Sequence, residues 1–219
     1  MVWSLLLAHF IADFPLQSNW MVKAKRDIRI LLLHVSIHLA VMVIVVGAAR
    51  TASWPYLLFL AVLHFGIDYV KNEINKWKPT WVVVPYIVDQ VIHYLTIVWV
   101  AVLIRNNVLD TTLSMNNIGF IYATGFLVVT YVWFITERIL FYSDNQYRQE
   151  IIAQFWSRMA VRALLLSVFL WGSNQIPSIA AITGVVTPLP YLSGKYPLRA
   201  LFTDLIVATV VLIFIRLAI

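Results

Sequence analysis

The sequence predicts an all-α polytopic membrane bundle of about seven transmembrane helices, and three observations carry that prediction. The first is composition. Of the 219 residues, 62% are hydrophobic and 12% charged, and the mean hydropathy is +0.85. Soluble domains run nearer roughly 45–50% apolar with about a quarter charged. The second is the division of the chain into seven apolar runs separated by polar or Pro/Gly-rich segments. The third is an uneven distribution of basic residues. With seven spans, one side carries Lys23, Lys25, Arg26, Arg29, Lys71, Lys76, Lys78, Arg138, Arg148, Arg158, Arg162 and Arg216, and the other only Arg50, Arg105, Lys195 and Arg199. Basic loops stay cytoplasmic, so the N-terminus is expected outside and the C-terminus in the cytoplasm.

The runs follow in order. Val2 to Leu16 is short for a span of roughly 20 residues, and Pro15 ends it. The second run, Ile30 to Ala49, follows the basic loop Lys23–Arg29. Trp54 to Val70 is the third, with Pro55 suited to a first helical turn, and Lys71 to Lys78 reads as the next polar loop. Trp81 to Ile104 is the fourth, and Arg105–Asn117 is polar. Ile118 to Leu140 is the fifth. Tyr142 to Arg158 reads as an amphipathic interfacial segment, from the spacing of Ile151, Ile152, Phe155, Trp156 and Met159. Ala160 to Ile182 is the sixth. An irregular loop with Gly184, Pro188, Pro190, Gly194 and Pro197 precedes the last run, Leu198 to Ile219. The whole of 1–219 reads as one membrane domain, with four helices in 1–104 and three in 105–219.

Composition also narrows function. Without cysteine there are no disulfides and no thiolate ligands, which argues against copper(I) and iron–sulfur clusters. The net charge of +6 belongs to loops beside anionic headgroups, so no nucleic acid is expected. No basic n-region or small-residue cleavage site marks a signal peptide at the N-terminus.

All five histidines fall in pairs with the helical i,i+4 spacing: His9 with Asp13, His34 with His38, His64 with Asp68, and Asp89 with His93. Residues so spaced lie one turn apart on one helix face. Each pair belongs to a different one of the first four runs, and all four fall in the cytoplasmic half of the bilayer. Antiparallel neighbours therefore bring them to one level. Ionisable groups cost about 2.5–3.5 kcal/mol each inside a bilayer, so they pair and mark function. A single pair is more simply a cross-link between helices; four at one depth point to a shared site. Aspartate oxygens with imidazole nitrogens suit a divalent metal, zinc first, with iron or manganese as alternatives. The expected metal ligands are His9, Asp13, His34, His38, His64, Asp68, Asp89 and His93, with Asp89 and His93 also candidates for proton transfer. Gln17, Lys23, Lys25, Lys71 and Gln90 are expected to frame the mouth and bind substrate. Glu137, Arg138, Arg158 and Arg162 are weaker candidates for the same task.

The segments His-Phe-Ile-Ala-Asp-Phe-Pro-Leu-Gln at 9–17, His-Val-Ser-Ile-His at 34–38, His-Phe-Gly-Ile-Asp-Tyr-Val-Lys at 64–71 and Asp-Gln-Val-Ile-His at 89–93 resemble, in the same order, a bacterial and phage membrane family, domain of unknown function 3307. The resemblance covers about residues 1–100. It implies a helical membrane protein and no established activity; the expected location is the bacterial inner membrane. The motif style is also similar to that of membrane-bound metal-dependent hydrolases. The expected function is a metal-dependent membrane hydrolase acting near the cytoplasmic headgroups on a lipid or lipid-linked phosphate. A proton- or cation-coupled transporter built on the same cluster is the alternative. A non-haem iron redox enzyme ranks third. Membrane lipid and a small-molecule or lipid substrate are the expected partners, and an oligomer is compatible with the sequence.

Overall fold

The computed structural model describes residues 1–47, 50–108, 117–171, 189–194 and 196–219, which contain helices and no strand. The chain falls into two compact units, Met1–Phe120 and Ile121–Ile219. Five helical stretches are long and apolar enough to cross a membrane: Ile28–Val46, Thr51–Trp77, Val83–Asn107, Ile118–Leu140 and Leu198–Ala218. A sixth arises if the bent pair Asn145–Ala153 and Phe155–Leu170 is one span. The first apolar helix is shorter.

In the first unit, α1 is Val2–Asp13, α2 is Asn19–Ala24, α3 is Ile28–Val46, α4 is Trp54–Trp77 and α5 is Val83–Asn107. The 12 residues of α1 reach about 18 Å, against a hydrocarbon core of about 30 Å. The Ser18 hydroxyl accepts from the Met21 N–H to start α2. The Asp27 carboxylate accepts from the Arg29 N–H to start α3. Gly47, at φ +105, ends α3 with a backbone conformation costly for other residues. Pro55 sits in the first turn of α4, where its missing N–H costs nothing.

The polar stretch Lys71–Trp77, expected as loop, continues α4. Hydropathy falls there, but no helix breaker occurs before Pro79, and Lys71 and Asn72 turn inward to partners described below. The fourth run likewise stays helical through Asn107. Residues 109–116 of the following expected loop lie outside the described residues.

Helix α1 packs on α3 and α5, α3 on α4, and α4 on α5. Leu5, Ala8, Met42, Leu57, Val100 and Ile104 form a dry layer between them. The small side chains of Ala8 and Ala12 let α1 lie close to its neighbours. This layer occupies one end of the bundle. Its other end is polar.

The second unit begins within α6, Asn117–Leu127; a π turn then covers Val128–Val132, and α7 is Trp133–Leu140. Then come α8, Asn145–Ala153; α9, Phe155–Trp171; α10, Leu189–Leu192; and α11, Leu198–Ala218. The expected interfacial segment is two helices bent by 75° at Gln154. Ile151 and Met159 are buried, while Ile152 and Trp156 are exposed. Gly125 is required by close packing, because a methyl group there would stand 2.6 Å from Ile215 Cδ1. Residues 172–182 of the sixth apolar run, with Gly184 and Pro188, lie outside the described residues.

Candidate metal centre

The polar end of the first unit gathers the four His/Asp pairs. Helical spacing puts His9 and Asp13 on the inner face of α1, His34 and His38 on α3, His64 and Asp68 on α4, and Asp89 and His93 on α5. Apart from the partly buried Asp13, all are buried. Asp13 is the hub: its Oδ1 lies 3.0 Å from both His34 Nε2 and His38 Nε2, and its Oδ2 lies 3.4 Å from His9 Nε2. His34 Nε2 is also 3.3 Å from His64 Nε2 and 3.5 Å from Asp68 Oδ2. Asp68 lies 3.7 Å from His64 and 3.8 Å from His93, and His93 lies 3.4 Å from Asp89. The rings of His64 and His93 stack at 4.1 Å.

Two subsets bring ligand atoms within 4.8 Å of one another: Asp13, His34, His38 and His64, and then His64, Asp68 and His93. They share His64. The first set is the better site. It offers four ligands, and three of its six separations, 3.0, 3.0 and 3.3 Å, come near a tetrahedral edge of about 3.3 Å for metal–ligand bonds near 2.0–2.1 Å, while the set as a whole lies within 4.8 Å.

Lysines set the second group apart. Lys25 Nζ donates to Asp68 Oδ2 at 2.8 Å. Lys71 Nζ donates to Asp68 Oδ1 at 2.9 Å and to Asp89 Oδ2 at 2.8 Å. The two lysines thus neutralise carboxylates instead of standing free at the rim. The backbone carbonyl of Lys25 accepts from Asn72 Nδ2 at 3.0 Å, which ties the strap between α2 and α3 to α4. The Gln17 side-chain oxygen accepts from His34 Nδ1 at 3.3 Å and from Lys25 Nζ, and its amide nitrogen donates to the Asp13 carbonyl. Gln90 donates to Asp89 at 3.1 Å and accepts from the Tyr94 hydroxyl at 3.0 Å. Lys23 is exposed on α2.

Three aspartates against two lysines leave one net negative charge when the imidazoles are neutral. A proton on one imidazole or a bound cation would offset that charge. His9 Nε2, His93 Nε2 and Asp89 Oδ1 are buried with no hydrogen-bond partner. A void of about 10 Å³ lies among His9, His38, His64 and His93 on the side of Leu5 and Met42. That is close to the roughly 10–15 Å³ one water needs.

The second unit holds a separate polar network. Asp204 on α11 accepts from Arg158 Nη2 at 2.6 Å, Arg162 Nη1 at 3.1 Å and the Tyr191 hydroxyl at 2.6 Å. Glu137 on α7 accepts from Arg158 Nη2 at 2.9 Å, the Tyr147 hydroxyl at 2.7 Å and Thr203 at 3.0 Å. Both carboxylates and both arginines are buried. Thus Glu137, Arg158 and Arg162 bind each other and Asp204 within their own unit. Arg138 lies over the Phe134 ring. Asp204 escaped the sequence reading, although Arg158 and Arg162 carry the same i,i+4 spacing and Asp204 is the one acid of the last run.

A family model described as Protein of unknown function (DUF3307) matches residues 1–120. The chain belongs to this family. The match ends where the first compact unit ends and contains all four His/Asp pairs. No curated protein and no solved structure matches the chain.

Proposed function

We propose that this DUF3307 family member is a metal-dependent membrane hydrolase acting on a lipid or lipid-linked phosphate, with its N-terminus outside and its His/Asp end toward the cytoplasm. The observation that carries the reading is the set Asp13, His34, His38 and His64, whose ligand atoms all lie within 4.8 Å of one another. Zinc fits best, with iron or manganese as alternatives. Bound there with one position left to water, as a fifth ligand or in place of one of the four, a divalent metal would supply Lewis acidity and lower the pKa of that water.

The chain's own residues do the rest. His9 holds the second oxygen of Asp13 and so orients that ligand. Asp89 and His93 form an acid–base pair beside the set, with Asp89 Oδ1 3.4 Å from His93 Nε2. Lys71 fixes Asp68 and Asp89 together. A divalent ion changes the net charge of the cluster from one negative to one positive, which suits a phosphate oxyanion.

A proton or cation relay is the second reading. It is favoured by the unbroken run of buried contacts from His9 through Asp13, His34, Asp68 and His93 to Asp89. The deciding experiment is elemental analysis of protein purified in mild detergent, with phosphate release from lipid phosphates measured on the same sample. The hydrolase reading expects a stoichiometric transition metal, lost with activity in His64→Ala. Metal-free protein that cannot be reloaded, with proton flux in vesicles that His64→Ala abolishes, replaces it with the relay.

A further inference from the structure

The other half of the cluster has the donors of a metal site and the occupants of a salt bridge. Asp68 on α4 and Asp89 and His93 on α5 are buried together. His64, Asp68 and His93 bring ligand atoms within 4.8 Å of one another. His93 Nε2 lies 3.4 Å from Asp89 Oδ1 and 3.8 Å from Asp68 Oδ1. Even so, His93 Nε2 and Asp89 Oδ1 make no hydrogen bond. Buried polar atoms left in that condition are uncommon, and a cation held between them would satisfy both. Asp68 also stands where a bridging carboxylate would. Its Oδ2 is 3.5 Å from His34 Nε2 of the four-ligand set, and its Oδ1 faces His93. Two-metal sites hold their ions about 3.5–4 Å apart, a separation that one carboxylate spans with its two oxygens.

Ammonium groups hold the positions that a second ion would use. Lys71 Nζ lies 2.9 Å from Asp68 Oδ1 and 2.8 Å from Asp89 Oδ2, joining the acids of α4 and α5. Lys25 Nζ lies 2.8 Å from Asp68 Oδ2, the oxygen nearest the four-ligand set. A lysine ammonium is a compact point charge, so it fits where a small cation fits. The charges agree as well. Two ammonium groups together carry the charge of one divalent ion. With neutral imidazoles, the three aspartates, two lysines and one divalent ion sum to one net positive. Two divalent ions without the lysines give the same sum.

We propose that Lys71 and Lys25 stand in for a second metal ion, closing a site formed by Asp68, Asp89 and His93 and holding the centre to one ion. The count of one rests on the four-ligand set described above. The closed second site does not, because it is read as a difference in metal content between two chains. On the hydrolase reading, an ammonium then takes the place that a second Lewis acid has in two-metal enzymes.

The experiment compares the full chain with a Lys25→Met/Lys71→Met double variant, both purified in mild detergent, stripped with chelator, loaded with zinc and desalted. Elemental analysis should find one more zinc per chain in the double variant. Adding Asp89→Asn to it should remove that extra ion and leave the rest. Lys71→Arg, which keeps the charge, should match the unsubstituted chain. Zinc on the double variant but none on the unsubstituted chain upholds the closed site and sinks the four-ligand assignment. Equal metal in the two chains, as a plain salt bridge requires, overturns the proposal, and so do two ions on the unsubstituted chain. Should the double variant fail to fold, manganese titration of the unsubstituted chain followed by electron paramagnetic resonance decides. A limit of one ion without spin coupling supports the proposal, and a coupled manganese pair overturns it.

Discussion

Replacing Asp13 by Asn tests the metal set directly, because the change keeps the size of the side chain and removes its charge. Asp13 Oδ1 lies 3.0 Å from two imidazole nitrogens of the set, so this one oxygen holds half of the proposed ligand geometry. A metal that binds the folded state stabilises it by about 2.7 kcal/mol at a hundredfold excess over Kd. For a chain of this size each kcal/mol moves Tm by about 2–4 °C. The unsubstituted protein should therefore gain about 5–11 °C on adding zinc after chelation, and Asp13→Asn should gain close to nothing. Asp89→Asn serves as the control. It changes a carboxylate bound to Lys71 and beside His93 but outside the four-ligand set, so it should retain the shift. The assay is thermal unfolding in detergent, with long incubation in chelator because a buried ion leaves slowly. Equal shifts in Asp13→Asn and the unsubstituted protein would refute the assignment of the set. A shift lost only in Asp89→Asn would move the metal to the other carboxylates.

Two further outcomes concern the second unit. Asp204→Asn leaves Arg158 and Arg162 facing a neutral amide in a buried site, which should cost about 3–5 kcal/mol; chemical denaturation in detergent should show this loss with the zinc shift of the first unit unchanged. The Asp144 carboxyl, outside the spanning helices, is held below the usual carboxylate range by the Tyr147 N–H and then by the Arg199 guanidinium. A depressed folded pKa contributes stability above the unfolded value near about 3.9 and loses it as pH falls through the folded value. The stability difference between Arg199→Gln and the unsubstituted chain should therefore narrow on acidification below about pH 4, and a constant difference would count against the pairing.

The cluster was readable because helix periodicity converts a spacing of four into a shared face, and because His9, His34, His64 and Asp89 each begin a pair on a different apolar run. The partners of the charges were not readable. Lys71 looks like a rim residue beside Val70 and Asn72 in the sequence, yet its ammonium joins two acids 21 residues apart, Asp68 and Asp89. The end of α4 was misplaced for a related reason. A fall in hydropathy at Lys71 marks the edge of an apolar stretch, not a backbone that stops being helical. Asp204 was overlooked because its partners Arg158 and Arg162 come from α9, over 40 residues earlier, and no local spacing links them.

The order in which the acids of the first unit meet their partners matters while the chain is being made. Translation proceeds at about 5–20 residues per second, and an unpaired carboxylate in lipid is costly throughout any delay. Asp13 waits only for His34 and His38 on the next long helix, 21 and 25 residues later, or about 1–5 seconds at that pace. Asp68 emerges after its partner Lys25, and Asp89 after Lys71. No aspartate has to await the last helix of the unit, so if these helices enter a bilayer in turn, each does so with a counter-charge or an imidazole already made or soon to follow. The buried cluster can therefore be assembled one helix at a time, in the direction of synthesis.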